Sequence, residues 1–433
     1  MKVGVISLGC VKNRVDTEQM LALMTGNGYE LTNLPSEAEV LIVNTCGFIA
    51  PAKEESIDAI LEMAQYKKNG KCRVLCVTGC LAQRYADALL SDIPEIDCLL
   101  GVDQYANIAE LIGEALKGKR PRADKRDSRF LECGRVLTTP PYSAYVKIGD
   151  GCDNRCAYCA IPLIRGAYRS RPRADIISEM KLLAKGGARE QILIAQDTTK
   201  YGRDTGDSLR ALLAEGSAIE GIDWLRVLYM YPDETDEALL EEMAKTKNIV
   251  KYLDLPLQHA SDTLLKAMNR RGSNAGAKAL LKRARDMGFC LRTTFIVGFP
   301  GETEADFEQL MDFAREIRFD RMGAFAFSPE EDTAAEKMPG QIPESVKQER
   351  LDKLMKLQAG ISLERNQLRV GRTEKVLITG HDGMTYLGRS QFEAPDADGQ
   401  ISVLCDHALT EGDFAGVRIT GATTYDLTGE VVE

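Results

Sequence analysis

Cys152, Cys156 and Cys159, in the run Gly151-Cys152-Asp153-Asn154-Arg155-Cys156-Ala157-Tyr158-Cys159, put three thiols on one short loop in a CxxxCxxC spacing. Structural zinc closes a tetrahedron with four ligands, whereas an iron-sulfur cluster held by three cysteines leaves one iron open to a small molecule. Only His259, His381 and His407 exist in the chain, and none is near the loop. A disulfide is disfavoured because no secretory segment is evident and reducing compartments keep thiols reduced. The spacing predicts a cluster with an open iron, on a loop that a larger scaffold must hold in place.

A chain of 433 residues predicts several domains and ample material for a core. With 44% hydrophobic and 28% charged residues, neither disorder nor membrane residence is indicated, and no run approaches a membrane span. Ser7-Leu8-Gly9-Cys10 superficially resembles a lipoprotein cleavage site, but the apolar stretch before it is too short and Lys12 and Arg14 follow at once. The expected compartment is the cytoplasm. A net charge of −10 argues against a chain built to grip phosphate backbones and fits a cationic partner better. The basic stretch Lys117 to Arg129 reads as a solvated linker.

Residues 2–8, 40–43 and 73–77 are short apolar, β-branched runs that read as buried parallel strands. Between and after them, Val15 to Met24, Pro51 to Tyr66 and Gln83 to Leu90 repeat apolar residues near the 3.6 period. This predicts an open parallel α/β domain over 1–117. Cys10, Cys46 and Cys80 fall just past the carboxyl ends of the three strands, the edge where open parallel sheets bind ligands. Convergence into a second three-cysteine site is one reading; buried core cysteines are the other, as Cys72, Cys76 and Cys98 look to be.

Residues 118–135 read as a linker. Strand-like runs then recur near Ala144–Ile148, Gln191–Ala195, Trp224–Leu228, Tyr252–Leu255, Leu291–Val297 and Met322–Phe327, with helical patterns between them. Six β/α units predict a partial (β/α)6 barrel, over 136–369 with the long charged amphipathic helix expected at Pro343–Arg369. The cysteine loop follows the first of these strands, at the end where such barrels carry active sites. Beyond Gly371, short strands broken by Gly380, Asp382-Gly383, Asp398-Gly399 and Glu411-Gly412 predict a small all-β barrel over 370–433.

The cysteine loop, with Tyr158 before its third thiol, resembles that of the radical S-adenosylmethionine (SAM) enzymes. With Ile161-Pro162, Arg165-Gly166-Ala167-Tyr168-Arg169-Ser170-Arg171-Pro172, Gly9-Cys10-Val11-Lys12-Asn13, Asn44-Thr45-Cys46 and Gly79-Cys80, the whole chain resembles the methylthiotransferases. Within them it resembles the branch that modifies a ribosomal protein. The carboxy-terminal module then resembles a TRAM domain.

The resemblance implies two 4Fe-4S clusters and SAM as cofactors. Cys152, Cys156 and Cys159 would hold the radical-generating cluster, and Cys10, Cys46 and Cys80 an auxiliary cluster that presents a sulfur atom. One SAM methylates that sulfur; a second is cleaved reductively to a radical that takes a hydrogen from an unactivated carbon. Tyr158 and Ile161 would border the adenine, and Gln196 the ribose or sulfonium side. Gly298 and Gly301 would approach the nucleoside, or form only a tight turn. Arg165, Arg169 and Arg171 would form a basic rim for a carboxylate, or fold-supporting salt bridges. A low-potential electron donor, such as flavodoxin or ferredoxin, and a sulfur donor are implied partners.

The implied substrate is the β-carbon of an aspartate in the small-subunit ribosomal protein uS12. The alternatives are a tRNA adenosine, the target of the related branch, and a SAM-independent redox protein. From Val370 to Glu433, Arg372, Lys375, Arg389 and Arg418 face eleven acidic residues, a net of −7 with histidine neutral. An RNA-gripping module should be basic; an acidic one suits a basic ribosomal protein. Glu393, Asp396, Asp398, Glu411 and Asp413 are expected to form that recognising surface.

Overall fold

The computed structural model describes residues 1–127 and 129–432. Its first unit is a six-stranded parallel sheet of β1 (Lys2–Ser7), β2 (Glu30–Leu31), β3 (Val40–Thr45), β4 (Val74–Gly79), β5 (Cys98–Leu100) and β6 (Arg122–Ala123), in the order β2-β1-β3-β4-β5-β6. β3 and β4 are buried at every position, because helices cover both faces; that is why they read as unbroken apolar runs. The strand order reverses between β1 and β3, which makes their carboxyl ends the crevice of this sheet. Cys72, Cys76 and Cys98 are buried in it. Residues 118–135 are not a free linker: they supply β6, Leu131 accepts from the Gln19 amide at 2.8 Å, and Arg135 pairs with both Glu18 and Glu179.

The second unit carries β7 (Ser143–Lys147), the short antiparallel pair β8 (Gly149–Asp150) and β9 (Arg169–Ser170), then β10 (Glu190–Ile194), β11 (Trp224–Val227), β12 (Tyr252–Asp254), β13 (Cys290–Val297) and β14 (Arg321–Ala326). The six main strands run parallel in the order β7-β10-β11 and β12-β13-β14, joined by a bridge between Leu225 and Ile249. Burial alternates along β13, so Leu291, Phe295 and Val297 enter the layer under the helices while Arg292, Thr294 and Ile296 face the other way. The helix Glu344–Gln367 lies along the free edge strand β14. Its buried stripe has the helical period but is mostly polar, through Lys347, Arg350, Gln358, Ser362 and Asn366. Each of these side chains makes at least one hydrogen bond, as in Arg350 to Glu302 at 2.8 Å and Gln358 to the Phe319 carbonyl at 2.9 Å. The apolar stripe expected of an amphipathic helix is replaced by a bonded one.

The third unit is a closed barrel of β15 (Thr373–His381), β16 (Tyr386–Ser390), β17 (Ile401–Leu404), β18 (Phe414–Ala422) and β19 (Leu427–Val431), in the order β15-β16-β17-β19-β18. Its loop after β16 packs on the large barrel. Phe392 and Ala394 join Tyr145, Ile192, Trp224, Tyr252 and Cys290 in one cluster, which Val11 and Val15 of the first unit also enter. Tyr252 donates to Asp398 at 2.5 Å; Asp396 accepts from Tyr145 at 3.1 Å and from Arg14 at 3.0 Å. Glu393 is 1% exposed and pairs with Arg321 and Arg369. The expected substrate-facing role of Glu393, Asp396 and Asp398 is therefore corrected: they tie the three units together, a use that composition cannot separate from a surface charge.

Two buried carboxylates carry this docking. Burial raises the Glu190 carboxyl, but Arg389 and Arg226 outweigh it and hold it down to about 2; Arg369 and Arg321 do the same for Glu393. A carboxylate depressed in the folded state contributes stability above its unfolded pKa of about 4.3, and that contribution is lost as pH falls toward the folded value. Denaturant melts should show a constant contribution at neutral pH and a progressive loss between about pH 4 and pH 2. Glu190→Gln should destabilise by about 3–5 kcal/mol, because two buried guanidiniums lose their counter-charge, and should flatten that acid limb.

Candidate active site

The loop 151–160 springs from the β8–β9 pair at the carboxyl end of β7. Gly151 sits at φ +78, and a Cβ there would meet the Ala167 oxygen at 2.1 Å, so only glycine admits this turn. The Cys152 N–H donates to the Gly166 carbonyl at 3.0 Å, and that of Ala157 to Met268 at 2.9 Å. Burial pushes the Cys152 thiol up to about 11 and Cys159 up to about 12; Cys156 raises both further, while the Ile161 N–H favours the Cys159 thiolate. Three thiols thus share one electrostatic environment, and iron would deprotonate them on binding. Arg270, absent from the sequence expectations, lies 3.8 Å from the Cys156 sulfur and 3.2 Å from the Tyr158 hydroxyl.

Cys10, Cys46 and Cys80 gather at the crevice of the first sheet. Gly9 is at φ +83, and a Cβ there would approach the Cys46 Cβ to 2.8 Å, so the loop carrying Cys10 lies directly on Cys46. Asn13 fastens the same spot by donating to the Leu8 and Thr45 carbonyls at 3.1 and 3.0 Å, and the Cys80 sulfur stands 3.6 Å from its Oδ1. Burial raises the Cys80 thiol to about 12, with Cys10 and Cys46 adding to the rise and Arg165 opposing it. Among the described residues, the trio of candidate metal-ligating groups within 4.8 Å of one another is Cys405, Asp406 and His407. Both three-cysteine sets are spread more widely than one ion needs, which suits polynuclear clusters better than zinc.

Arg165 joins the two sets. It is 2% exposed, ends the short helix Ile161–Arg165, and donates to Asp150 at 2.8 Å, Asp16 at 2.9 Å and Asn13 at 2.7 Å, with Cys80 at 3.8 Å. Arg169 pairs with Asp103 at 2.9 Å, and Arg171 with Glu132 and Glu179 at 2.5 and 2.6 Å. The expected basic rim is absent: all three arginines are in ion pairs, the fold-supporting alternative. Lys147 pairs with Asp16 and Asp150 in the same network.

Gln196 donates to Asp150 at 2.9 Å and leaves its buried Oε1 without a partner. Tyr158 stacks edge-on to Phe299 with ring centres 6.5 Å apart, and Ile161 opens the helix that leads to Arg165. Gly298 and Gly301 both have positive φ, but a Cβ on Gly298 would strike Lys347 Cγ at 2.3 Å. The Gly298 N–H donates to Glu302, which also bonds His259 and Arg350 at 3.1 and 2.8 Å. Close packing within the fold accounts for Gly298.

Lys12 is also missing from the expected site residues, though it lies in the Cys10 motif. It is 6% exposed, and its ammonium stands 3.0 Å from the centre of the Tyr229 ring, past the carboxyl end of β11. Burial pulls it down to about 8.

Comparison with known proteins matches residues 146–314 to the Radical SAM superfamily, 2–101 to a family described as Uncharacterized protein family UPF0004, and 370–432 to the TRAM domain. A protein of Desulforamulus reducens named ribosomal protein uS12 methylthiotransferase RimO is 49% identical over 100% of this chain and 99% of its own length. One of the same name from Pelotomaculum thermopropionicum is 50% identical over the same shares. Among solved structures, the radical SAM methyltransferase TsrM of Kitasatospora setae, with cobalamin and a 4Fe-4S cluster bound, superposes with a TM-score of 0.55 at 15% identity, covering 76% of each chain; this is a likeness of fold alone. On full-length identity to its relatives, and on the three units they share, the chain belongs to the RimO family of radical SAM methylthiotransferases.

Proposed function

We propose that this protein installs a methylthio group on the β-carbon of an aspartate in ribosomal protein uS12, using SAM and two 4Fe-4S clusters. Cys152, Cys156 and Cys159 hold one cluster, and Cys10, Cys46 and Cys80 the other. The observation that carries this reading is the pair of three-thiol sets at the carboxyl edges of two parallel sheets, linked through Arg165. When bound, the clusters and SAM supply a low-potential electron, a carbon radical and a transferable sulfur.

The chain supplies position and dryness. Asp150 stands one residue before the cysteine loop and is engaged by Arg165, Lys147 and Gln196, so both thiol sets are referred to one rigid ion network. Gln196 offers its unpartnered Oε1 to a donor on SAM, an ammonium or ribose hydroxyl. Arg270 beside Cys156 offers N–H to sulfur, a contact that tunes cluster potentials. Val11 and Val15, with Phe392 and Ala394 across the barrel, exclude water from the interior. A flavodoxin- or ferredoxin-class electron donor and a separate sulfur donor complete the reaction. Among the described residues no helix is long and apolar enough to cross a membrane, and the proposed place of action is the cytoplasm.

With Glu393 and Asp398 turned inward and Asp396 engaged by Arg14 and Tyr145, substrate attraction rests on the outward acids of the small barrel: Asp382, Asp406, Glu411, Asp413 and Asp426. Reversing Asp382, Asp406, Glu411 and Asp426 to lysine should slow association with uS12 severalfold at low salt, and much less at about 1 M salt, where the Debye length shrinks to about 3 Å. The function itself is tested by mass analysis of uS12 and of tRNA nucleosides from cells with and without the gene. Loss of the methylthio group from uS12 alone is expected; loss from tRNA alone would assign the enzyme to the other substrate.

A further inference from the structure

At the seam where the two thiol sets face each other, the buried cations come with counter-charges. Arg165 has Asp16 and Asp150, Lys147 the same two, and Arg135 has Glu18 and Glu179. Lys12 is the exception. Among the described residues its ammonium has no hydrogen bond and no ion pair, only the face of Tyr229 at 3.0 Å. The largest favourable charge it meets is that of the Cys10 thiol, two residues away, and the nearby carboxylates are already taken. Asp254 accepts from Arg292 at 2.7 Å and from the Tyr229 N–H at 2.8 Å, while Asp16 and Asp150 are held by Arg165 and Lys147. An aromatic face is a weak substitute for an anion, and leaving a buried charge uncompensated is costly.

The location gives the vacancy a meaning. Lys12 starts from the first unit two residues after Cys10 and reaches to the carboxyl end of β11. It therefore bridges from the loop of one thiol set to the mouth of the barrel that carries the other. Tyr229, which it covers, is held at φ +61, a conformation that costs energy in a tyrosine and that the surrounding bonds must impose.

We propose that Lys12 receives the side-chain carboxylate of the substrate aspartate. This rests on the reading of aspartate as the modified residue. The carbon to be modified is bonded directly to that carboxylate, so a charge-assisted bond to it fixes the reacting carbon between the two thiol sets. The same bond disfavours asparagine and a neutral nucleobase, because either would leave the buried lysine without a counter-charge. A compact ammonium with three donors suits a single carboxylate arriving end-on.

The test uses cluster-loaded full-length enzyme, with iron content matched between samples, as wild type, Lys12→Met and Lys12→Arg. The probes are uS12 and uS12 in which the methylthiolated aspartate is replaced by asparagine. Lys12→Met should bind uS12 roughly ten- to a hundredfold more weakly, the range for a buried charge-assisted hydrogen bond. It should bind the asparagine variant no more weakly than the wild-type enzyme does, and Lys12→Arg should recover part of the loss. Equal affinity of Lys12→Met and wild type for uS12, or an equal loss toward both probes, would overturn the assignment. So would a Lys12→Met enzyme that cannot be loaded to the iron content of Lys12→Arg, since the lysine would then serve the cluster. Wild-type enzyme that leaves uS12 unmodified would instead overturn the function, and with it this role.

Discussion

Alanine at any one of Cys152, Cys156 or Cys159 should abolish reductive cleavage of SAM while leaving the iron proposed for the first unit in place. Three ligands are the minimum that holds a four-iron cluster with one iron open, and all three come from one ten-residue loop whose turn is set by Gly151. Among the described residues the nearby candidates to replace a lost thiolate are engaged: Asp153 accepts from the Tyr168 N–H, Asp197 from Asn154 and Thr199, and His259 bonds Glu302 and the Ser261 N–H. The loss should be complete within assay limits. 5′-Deoxyadenosine formed under strong reductant is the readout, and wild-type levels from any of the three variants would remove the radical site from this loop.

Joint replacement of Cys10, Cys46 and Cys80 should have the converse effect. Iron content should fall by about half, one of two cysteine-bound clusters being lost, and methylthio transfer should cease while SAM is still cleaved. The two thiol sets belong to separate sheets. Although Ala160 and Ile164 pack in the same cluster as Cys80, the loop's turn at Gly151 and its bonds to Gly166 and Met268 lie within the second unit, so losing the crevice ligands should leave the barrel loop standing. The seam will feel the change through Cys80, which faces Arg165 at 3.8 Å. Arg165 retains Asp16 and Asp150, and the first unit should stay docked. Unchanged iron, or continued methylthiolation, would contradict a second cluster.

The fold was legible where covalent pattern and burial coincide. β1, β3 and β4 announce themselves as apolar runs because both faces are covered, and the six barrel strands recur at the expected places to within a residue or two. β5 and β6 did not, being three and two residues long: too short for any period to show. Cys10, Cys46 and Cys80 were within reach because a parallel sheet brings the ends of its strands to one edge. The sequence points to Arg165 but not to its place, since its neighbours Arg169 and Arg171 cannot reveal that Asp16 and Asn13 lie across the seam. Lys12 sits inside the Cys10 motif and Arg270 in no motif, but the meaning of each comes from Tyr229 and Cys156, more than a hundred residues away in sequence. Glu393, Asp396 and Asp398 show the same limit, since a count of charges cannot tell a docking surface from a tie between units.

If both thiol sets of one chain act together on an aspartate of uS12, a single reaction should show it: purified enzyme, loaded anaerobically with iron and sulfide, with SAM, reductant, purified uS12 and tRNA in one vessel, followed by mass spectrometry of both macromolecules. Replacement of one hydrogen by one methylthio group at the β-carbon of a single uS12 aspartate, with tRNA unchanged, is expected. Methylthiolated adenosine in tRNA with uS12 untouched would contradict it.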